Sequence, residues 1–512
     1  MLARVGTVAL EGITARRVEV EVDLNRGGVP SLNMVGLPDG AVREARDRVR
    51  AALGNSGFPI PAVRVTINLA PADLPKEGSG YDLPVAVGLL AAMGAVPIDS
   101  TAGRVFLGEL SLDGRLNPVP GSLPTALHAR REGMHEVIVP EMNGAEAALV
   151  PEVRVIAVAT VAQLVGHLRG EAPLPPLPPT EWQNWLGRVD PGAREIAEVK
   201  GQEFAKRALE VAAAGGHNLA MSGPPGSGKT LLARCIANLL PPLTLDEALE
   251  VTAIWSVAGR LTAGSPLVGA RPFRAPHHTA SAVSLVGGGS SPRPGEVSLA
   301  HNGVLFLDEL TEFGRTTLEV LREPLEAGMV TISRAQHSAN FPAVFQLIAA
   351  FNPCPCGHLG DPLHACRCAA SQVARYRARL SGPLLDRIDI HIQVPPVPID
   401  KLMHLPSGES SAEVRGRIFA ARQRQYARNG SGRLNAGLQG LDLERHAALD
   451  TAGASLLRQA AERLGFSARG FHRILRVART VADLEQSDRV DAGHLGEAIQ
   501  YRLESAPNSS EA

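Results

Sequence analysis

The chain is poor in cysteine, lysine and aromatic residues, and it carries almost no net charge. Five cysteines in 512 residues exclude a disulfide scaffold. Aromatic residues make up 4%, too few for rows of base-stacking platforms, so base-specific reading of a nucleic acid is not expected. A formal charge of -1 excludes a globally basic nucleic-acid binder, though not a local basic stripe. Only five of the 51 basic residues are lysines (Lys76, Lys200, Lys206, Lys229, Lys401). Beside abundant Ala and Gly, that arginine bias is most simply codon usage in a GC-rich genome and says little about partners. The longest apolar stretch, Leu83 to Ile98, contains two prolines. It is too short and broken to cross a bilayer and predicts a buried helix and no membrane partner. The opening residues alternate apolar and charged with no apolar core, so no signal peptide is expected. These features predict a soluble, cytoplasmic protein.

What remains divides into three segments. Residues 1–170 mix strands and helices: Arg17 to Leu24 and Ala62 to Leu69 alternate like half-buried strands, and Gly40 to Leu53 reads as an amphipathic helix. Pro173 to Pro179 then predicts a stiff extended linker. Residues 190–397 alternate short apolar strands with helices, the pattern of a mostly parallel sheet. Residues 405–503 read as helices.

The middle segment carries the chemistry. Gly223-Pro224-Pro225-Gly226-Ser227-Gly228-Lys229-Thr230 fits the phosphate-binding pattern G-x-x-x-x-G-K-[ST] without a mismatch, between an apolar strand and a helix-forming run. Its backbone N–H groups and the following helix N-terminus suit phosphate oxygens. Lys229 would reach the β- and γ-phosphates of ATP, and Thr230 would hold Mg²⁺. Val304 to Leu307 is an apolar strand ending in Asp308 and Glu309. In such enzymes the first acid completes the Mg²⁺ shell and the second polarises the attacking water; the bland reading is a strand end entering solvent. Asn352 closes another apolar strand, Phe345 to Phe351. It fits a γ-phosphate sensor, or a simple turn former. Arg387, in Leu384-Leu385-Asp386-Arg387, suits an arginine finger acting on a neighbouring subunit's nucleotide. The alternative is a surface ion pair of little weight.

At these motifs the chain resembles AAA+ ATPases of the magnesium-chelatase-like branch. Arg271-Pro272-Phe273-Arg274-Ala275-Pro276-His277-His278-Thr279, Pro294-Gly295-Glu296-Val297-Ser298-Leu299-Ala300-His301 and Asn352-Pro353-Cys354-Pro355-Cys356-Gly357 are similar to the YifB/ComM proteins specifically. The resemblance implies an AAA+ α/β domain with a parallel sheet followed by a C-terminal helical lid. It implies Arg387 as the finger and Arg469 as a second sensor, with Arg473 and Arg476 as alternatives on the same helix face. It also implies that Thr279 to Pro294, and the hairpin Val330 to Phe341 with Arg334 and His337, are pore-facing loops of a ring; two ordinary surface loops are the alternative.

Lys76 to Asp82 and Phe106 to Leu110 resemble the proteolytic domain of Lon, which implies a ribosomal S5-type α+β fold. That family uses a Ser–Lys pair. Here the nucleophile position falls on Gly80 and the base position on Pro124, so the resemblance implies an inactive, ChlI-type domain.

Two features stay open on sequence. Cys354, Cys356, Cys366 and Cys368 offer four thiols in one loop, a donor set for tetrahedral Zn²⁺. The C-x-C spacing departs from the usual C-x₂-C, His358 and His364 are alternative ligands, and small buried cysteines are the plain reading. Arg415, Arg417, Arg422, Arg424, Arg428 and Arg433 crowd one predicted helix, which could follow a phosphate backbone or simply be solvated. By resemblance the expected activity is that of a hexameric DNA motor. It would migrate branches and help integrate single-stranded DNA during natural transformation, with single-stranded or branched DNA as partner. The alternative is a protein-remodelling or metal-chelatase-type motor with no DNA role.

Overall fold

The computed structural model describes every residue except 26, 28, 38, 263, 290, 291, 334–337, 381, 399–407, 465 and 503–512. The first segment is built on a seven-stranded sheet. Its order is Ser31–Val35, Arg64–Ala70, Thr14–Asn25, Leu2–Glu11, Arg104–Phe106, Glu136–Pro140, Arg154–Val158. Strand alternation decides which layer each residue feeds. Ile138 packs with the helices Gly40–Asn55, Asp82–Ala92 and Val161–Arg169, whereas Val137 and Val139 pack with the helix Ser122–Arg131. The buried helix expected over Leu83 to Ile98 is Asp82–Ala92, every residue of it buried; it stops short of Gly94, whose φ is 77°, and Ile98 is exposed.

The second sheet has five parallel strands in the order Phe273–Arg274, Val304–Leu307, Gln346–Phe351, Leu219–Ser222, Ile390–Gln393. The strand that enters the P-loop thus lies between the last two strands of the chain order, and the run of neighbours reverses there. Ligands of open parallel sheets bind beyond the strand carboxyl ends at such a reversal. Both faces of this sheet are covered, which is why its strands read as continuous apolar runs. Val304, Phe306, Ile348 and Ala350 meet the C-terminal helices; Leu305, Leu307, Leu347 and Ala349 meet the inserts.

The boundaries read from composition are packed against their neighbours. Residues Pro173 to Pro179 are extended but bound: Leu177 N–H donates to the Val155 carbonyl (2.8 Å), and Leu174 and Leu177 pack against the first-segment cores. The leucines within the proline run anchor it, so it is no free linker. The helical segment shares its core with the second segment. Val414, Ile418, Ile474, Val477 and Val481 share one core with Leu209 and Ala212 of the helix Glu203–Gly215 and with the parallel sheet. Composition marks a change of element type there, not a packing boundary.

The first segment also docks on the second. Leu243, Ala248 and Ala253 complete the core around Ser122–Arg131. At that seam the buried Glu146 carboxylate accepts from Ser256 Oγ (2.5 Å) and from Leu123 N–H (2.8 Å).

Candidate active site

The strands Leu219–Ser222, Val304–Leu307 and Gln346–Phe351 end side by side, and the residues that follow them line one open cleft of about 390 Å³. Pro225 to Leu231, Asp308, Glu309, Phe351 and Asn352 form its walls. The loop can fold back because Gly226 and Gly228 take φ of 77° and 93°, which a side chain would resist. Gly223 lies against the Val394 carbonyl, where a Cβ would stand 2.3 Å away. The helix Lys229–Leu239 then starts at the cleft with its N-terminal N–H groups toward it.

Lys229 is buried, and burial holds its ammonium below the ordinary lysine value, with Asp308 opposing that shift. Its Nζ donates to the Gly223 and Pro224 carbonyls (2.7 and 2.9 Å) and to Asn352 Oδ1 (3.3 Å). Thr230 Oγ1 donates to Asp308 Oδ2 at 2.7 Å. A hydroxyl and a carboxylate at that separation are oxygen donors fit for Mg²⁺, which binds few protein ligands and keeps waters and phosphate oxygens for the rest. The nucleotide-binding residues expected from sequence are therefore brought together, and so are Glu309 and Asn352.

Glu309 brings a partner that the motif reading missed. Its backbone is left-handed (φ 51°), and its Oε2 lies 3.0 Å from His278 Nδ1. His278 belongs to the doublet His277-His278, whose rings lie 4.1 Å apart, tilted by 33°. The signal in sequence was a polar histidine doublet in an otherwise structural motif. The rest of that motif holds the fold: Arg274 makes a two-pronged pair with Glu296 (2.7 and 2.9 Å), and Arg271 donates to the Pro241 and Asn302 carbonyls (2.6 and 2.7 Å).

Arg387 and Arg469 are not in the cleft. Arg387 pairs with Glu326 and donates to the Pro383 carbonyl (2.6 Å). Arg469 is exposed at the start of the helix Ala468–Leu484. Of its alternatives, Arg473 is buried against Asp389 (3.5 Å), and Arg476 donates to the Ala436 carbonyl (3.1 Å).

The insert Thr279 to Pro294 contains the short helix Ala282–Val286 and the pair Gly287–Gly288 with Arg293–Pro294. The hairpin is Met329–Ser333 with Ser338–Pro342. Its Arg334 and His337 lie outside the described residues.

The arginine-rich helix Ser411–Asn429 does not offer the basic stripe its composition suggested. Arg417 pairs with Glu210 and Glu409 (2.6 and 2.7 Å), Arg424 with Asp488, Arg428 with Asp483 (2.7 Å) and Arg433 with Asp442 (2.8 Å). Arg422 is buried and donates to the Ala213 carbonyl (2.6 Å). These charges bind the helix to its own molecule.

In the first segment Lys76 is buried and its Nζ donates to the Pro71 carbonyl. The four loop cysteines gather, with Sγ separations of 3.4 Å (354–356), 3.7 Å (354–366) and 3.6 Å (356–366). Hydrogen bonds from the backbone at His358, then Arg367, hold the Cys356 thiol down to about 6. Cys235 is plain core, with burial pushing its thiol up to about 12.

Comparison with known families matches three stretches of the chain. The family model for magnesium chelatase, subunit ChlI, matches residues 195–402; the models for subunit ChlI of Mg-chelatase and for the ChlI C-terminal part match 20–143 and 408–502. An uncharacterised protein designated YifB from Salmonella typhimurium is 45% identical over 503 residues, covering 98% of this chain and 97% of its own. The competence protein ComM of Haemophilus influenzae is 44% identical with the same coverage. The chain belongs to the YifB/ComM family of magnesium-chelatase-like proteins. Lon protease 2 of Bacillus subtilis is 25% identical over 152 residues, 28% of this chain and 27% of its own. That partial likeness is consistent with a Lon-like fold in a member of this family. No helix among the described residues is long and apolar enough to cross a membrane.

Proposed function

We propose that the chain is one subunit of a ring-shaped ATPase that moves on DNA and drives branch migration, helping incoming single strands to integrate during transformation. The observation that carries this reading is a cleft with a P-loop lysine, a Thr–Asp pair, an acid and an Asn sensor, from which both candidate arginines are absent. A second copy of the chain would supply Arg387, and Arg469 would complete the site from the lid. The competence name of the ComM relative supports the DNA context.

Within the site, Lys229 would exchange its two carbonyl acceptors for phosphate oxygens. Thr230 and Asp308 would hold Mg²⁺, which neutralises charge on the β- and γ-phosphates. Glu309 would leave or share His278 to orient water, and Asn352, already within reach of Lys229, would register the terminal phosphate. DNA contact would fall to the insert and the hairpin, because Arg417, Arg422, Arg424 and Arg428 of Ser411–Asn429 are engaged internally.

The test is ATP-dependent displacement of a labelled strand from a three- or four-way junction. Displacement that needs ATP and weakens between about 50 and 200 mM salt supports the reading; an ATPase indifferent to DNA, with no displacement, rejects it. The second reading is a protein-remodelling or chelatase-type motor, which the internally paired arginine helix and the three chelatase family matches favour. It requires an ATPase stimulated by a protein partner and not by DNA.

A further inference from the structure

We infer that Cys354, Cys356, Cys366 and Cys368 form a structural Zn²⁺ site whose loop props the floor of the nucleotide cleft. All four sulfurs lie within 4.8 Å of one another. Disulfide sulfurs stand about 2.05 Å apart, so the separations of 3.4, 3.6 and 3.7 Å are those of free thiols. Four thiolates at about 2.3 Å from one ion occupy tetrahedron corners about 3.8 Å apart. The sulfurs therefore already stand close to the spacing that a single ion needs. An iron–sulfur cluster places its ligands on different irons and needs a wider frame. Four soft sulfur donors leave no open position, which marks a structural site, not a catalytic one.

The histidines are not part of the set. His358 and His364 both engage Asp361 Oδ2 (3.0 and 3.1 Å), a carboxylate almost wholly covered. That contact ties down the chain between the two cysteine pairs, so it presents sulfur and not imidazole at the centre.

The position of the loop gives the site a consequence. Cys354 follows the sensor Asn352 by one proline, and Gly357 lies on the P-loop: a Cβ there would stand 2.5 Å from Pro225 Cδ. With φ of 82°, Gly357 is the residue that permits this approach. One ion would thus fix both the chain leaving Asn352 and the surface against which Pro225 rests. The metal site stands whether or not the protein moves on DNA; the propping role rests on the nucleotide reading.

Measurements on the full chain test the site and its propping role separately. Elemental analysis of protein purified without chelator should find about one zinc per chain, and mercurial titration should release it as four thiols react. Reloading with Co²⁺ alone should give the near-ultraviolet charge-transfer bands of a tetrathiolate. The double substitution Cys356→Ser, Cys366→Ser should reduce the metal to below about a tenth of an equivalent. Folded wild-type protein that carries no zinc and takes up neither Zn²⁺ nor Co²⁺ after reduction overturns the site. For the propping role, wild-type protein stripped by a chelator should bind a fluorescent ADP analogue about tenfold more weakly, and Zn²⁺ alone should restore it. An unchanged affinity with the metal gone overturns the propping role and leaves the zinc site standing.

Discussion

Glu309 holds a left-handed backbone, which costs a non-glycine residue about 1 kcal/mol or more. The strain is local to the cleft, and with His278 at 3.0 Å it fixes where the carboxylate points. Glu309→Gln is expected to keep nucleotide affinity and to slow hydrolysis by about 10²-fold or more, read by comparing analogue binding with phosphate release. His278→Ala should lower kcat while leaving that affinity within about twofold; an unchanged kcat would remove His278 from the mechanism. If the proposed function holds, Lys229→Ala should weaken ATP binding by about tenfold or more, since it deletes the buried ammonium of the cleft. Lys229, Thr230, Asp308 and Asn352 were legible in the sequence because each sits in or just beyond a loop at a strand end, and the strands announce themselves. His278 was not, because the histidine doublet does not name its partner, and Glu309 is brought to it only by the pairing of neighbouring strands.

Among the elements, the helix Ser411–Asn429 shows what composition hides. Asp483 is fully covered and accepts from Arg428 (2.7 and 2.8 Å), Arg479 (3.1 Å) and Asn435 (2.8 Å). This network ties that helix to Ala468–Leu484. Removing the carboxylate leaves the buried Arg479 guanidinium and the half-buried Arg428 unbalanced, so Asp483→Ala should cost about 3 kcal/mol or more, measured as a lowered melting transition. The seam between the first sheet and the helix Leu245–Val257 has the opposite character. Burial raises the Glu146 pKa above its ordinary 4.5, against the hydrogen bonds from Ser256 and Leu123. An acid whose folded pKa is raised binds more protons folded than unfolded. Its stabilising share is therefore present below about 4.5 and is lost as pH rises through the folded value. The melting temperature of Glu146→Gln relative to the parent should climb as pH is raised from about 4.5 through the folded value; a constant difference would assign the seam to apolar packing alone. Strand and helix spans were legible because alternation and amphipathic spacing are local. Ion-pair partners such as Asp483 and Glu210 come from distant sequence, so six arginines in a row of turns looked free when five are engaged.

For the whole molecule, two layered units share a seam, and a third helical segment merges into the core of the second. The tip of the first β-hairpin reaches the insert region as well: a Cβ on Gly12 would stand 2.3 Å from the Asn340 carbonyl, and Ile13 packs with Phe341. Motion of the hairpin Met329–Pro342 would thus be felt by the first segment. The order of units was readable from composition, and the seams between them were not, because they are built from scattered small residues such as Ala248 and Ala253 that carry no motif. The account turns on a nucleotide site completed by a second subunit. Its most direct test is to mix Arg387→Ala with Lys229→Ala, each expected to be nearly inactive alone. Sites that pair an intact P-loop with an intact Arg387 should form in the mixture and restore part of the ATPase. A mixture as inactive as its components, or an Arg387→Ala protein that hydrolyses ATP at the parental rate, would contradict it.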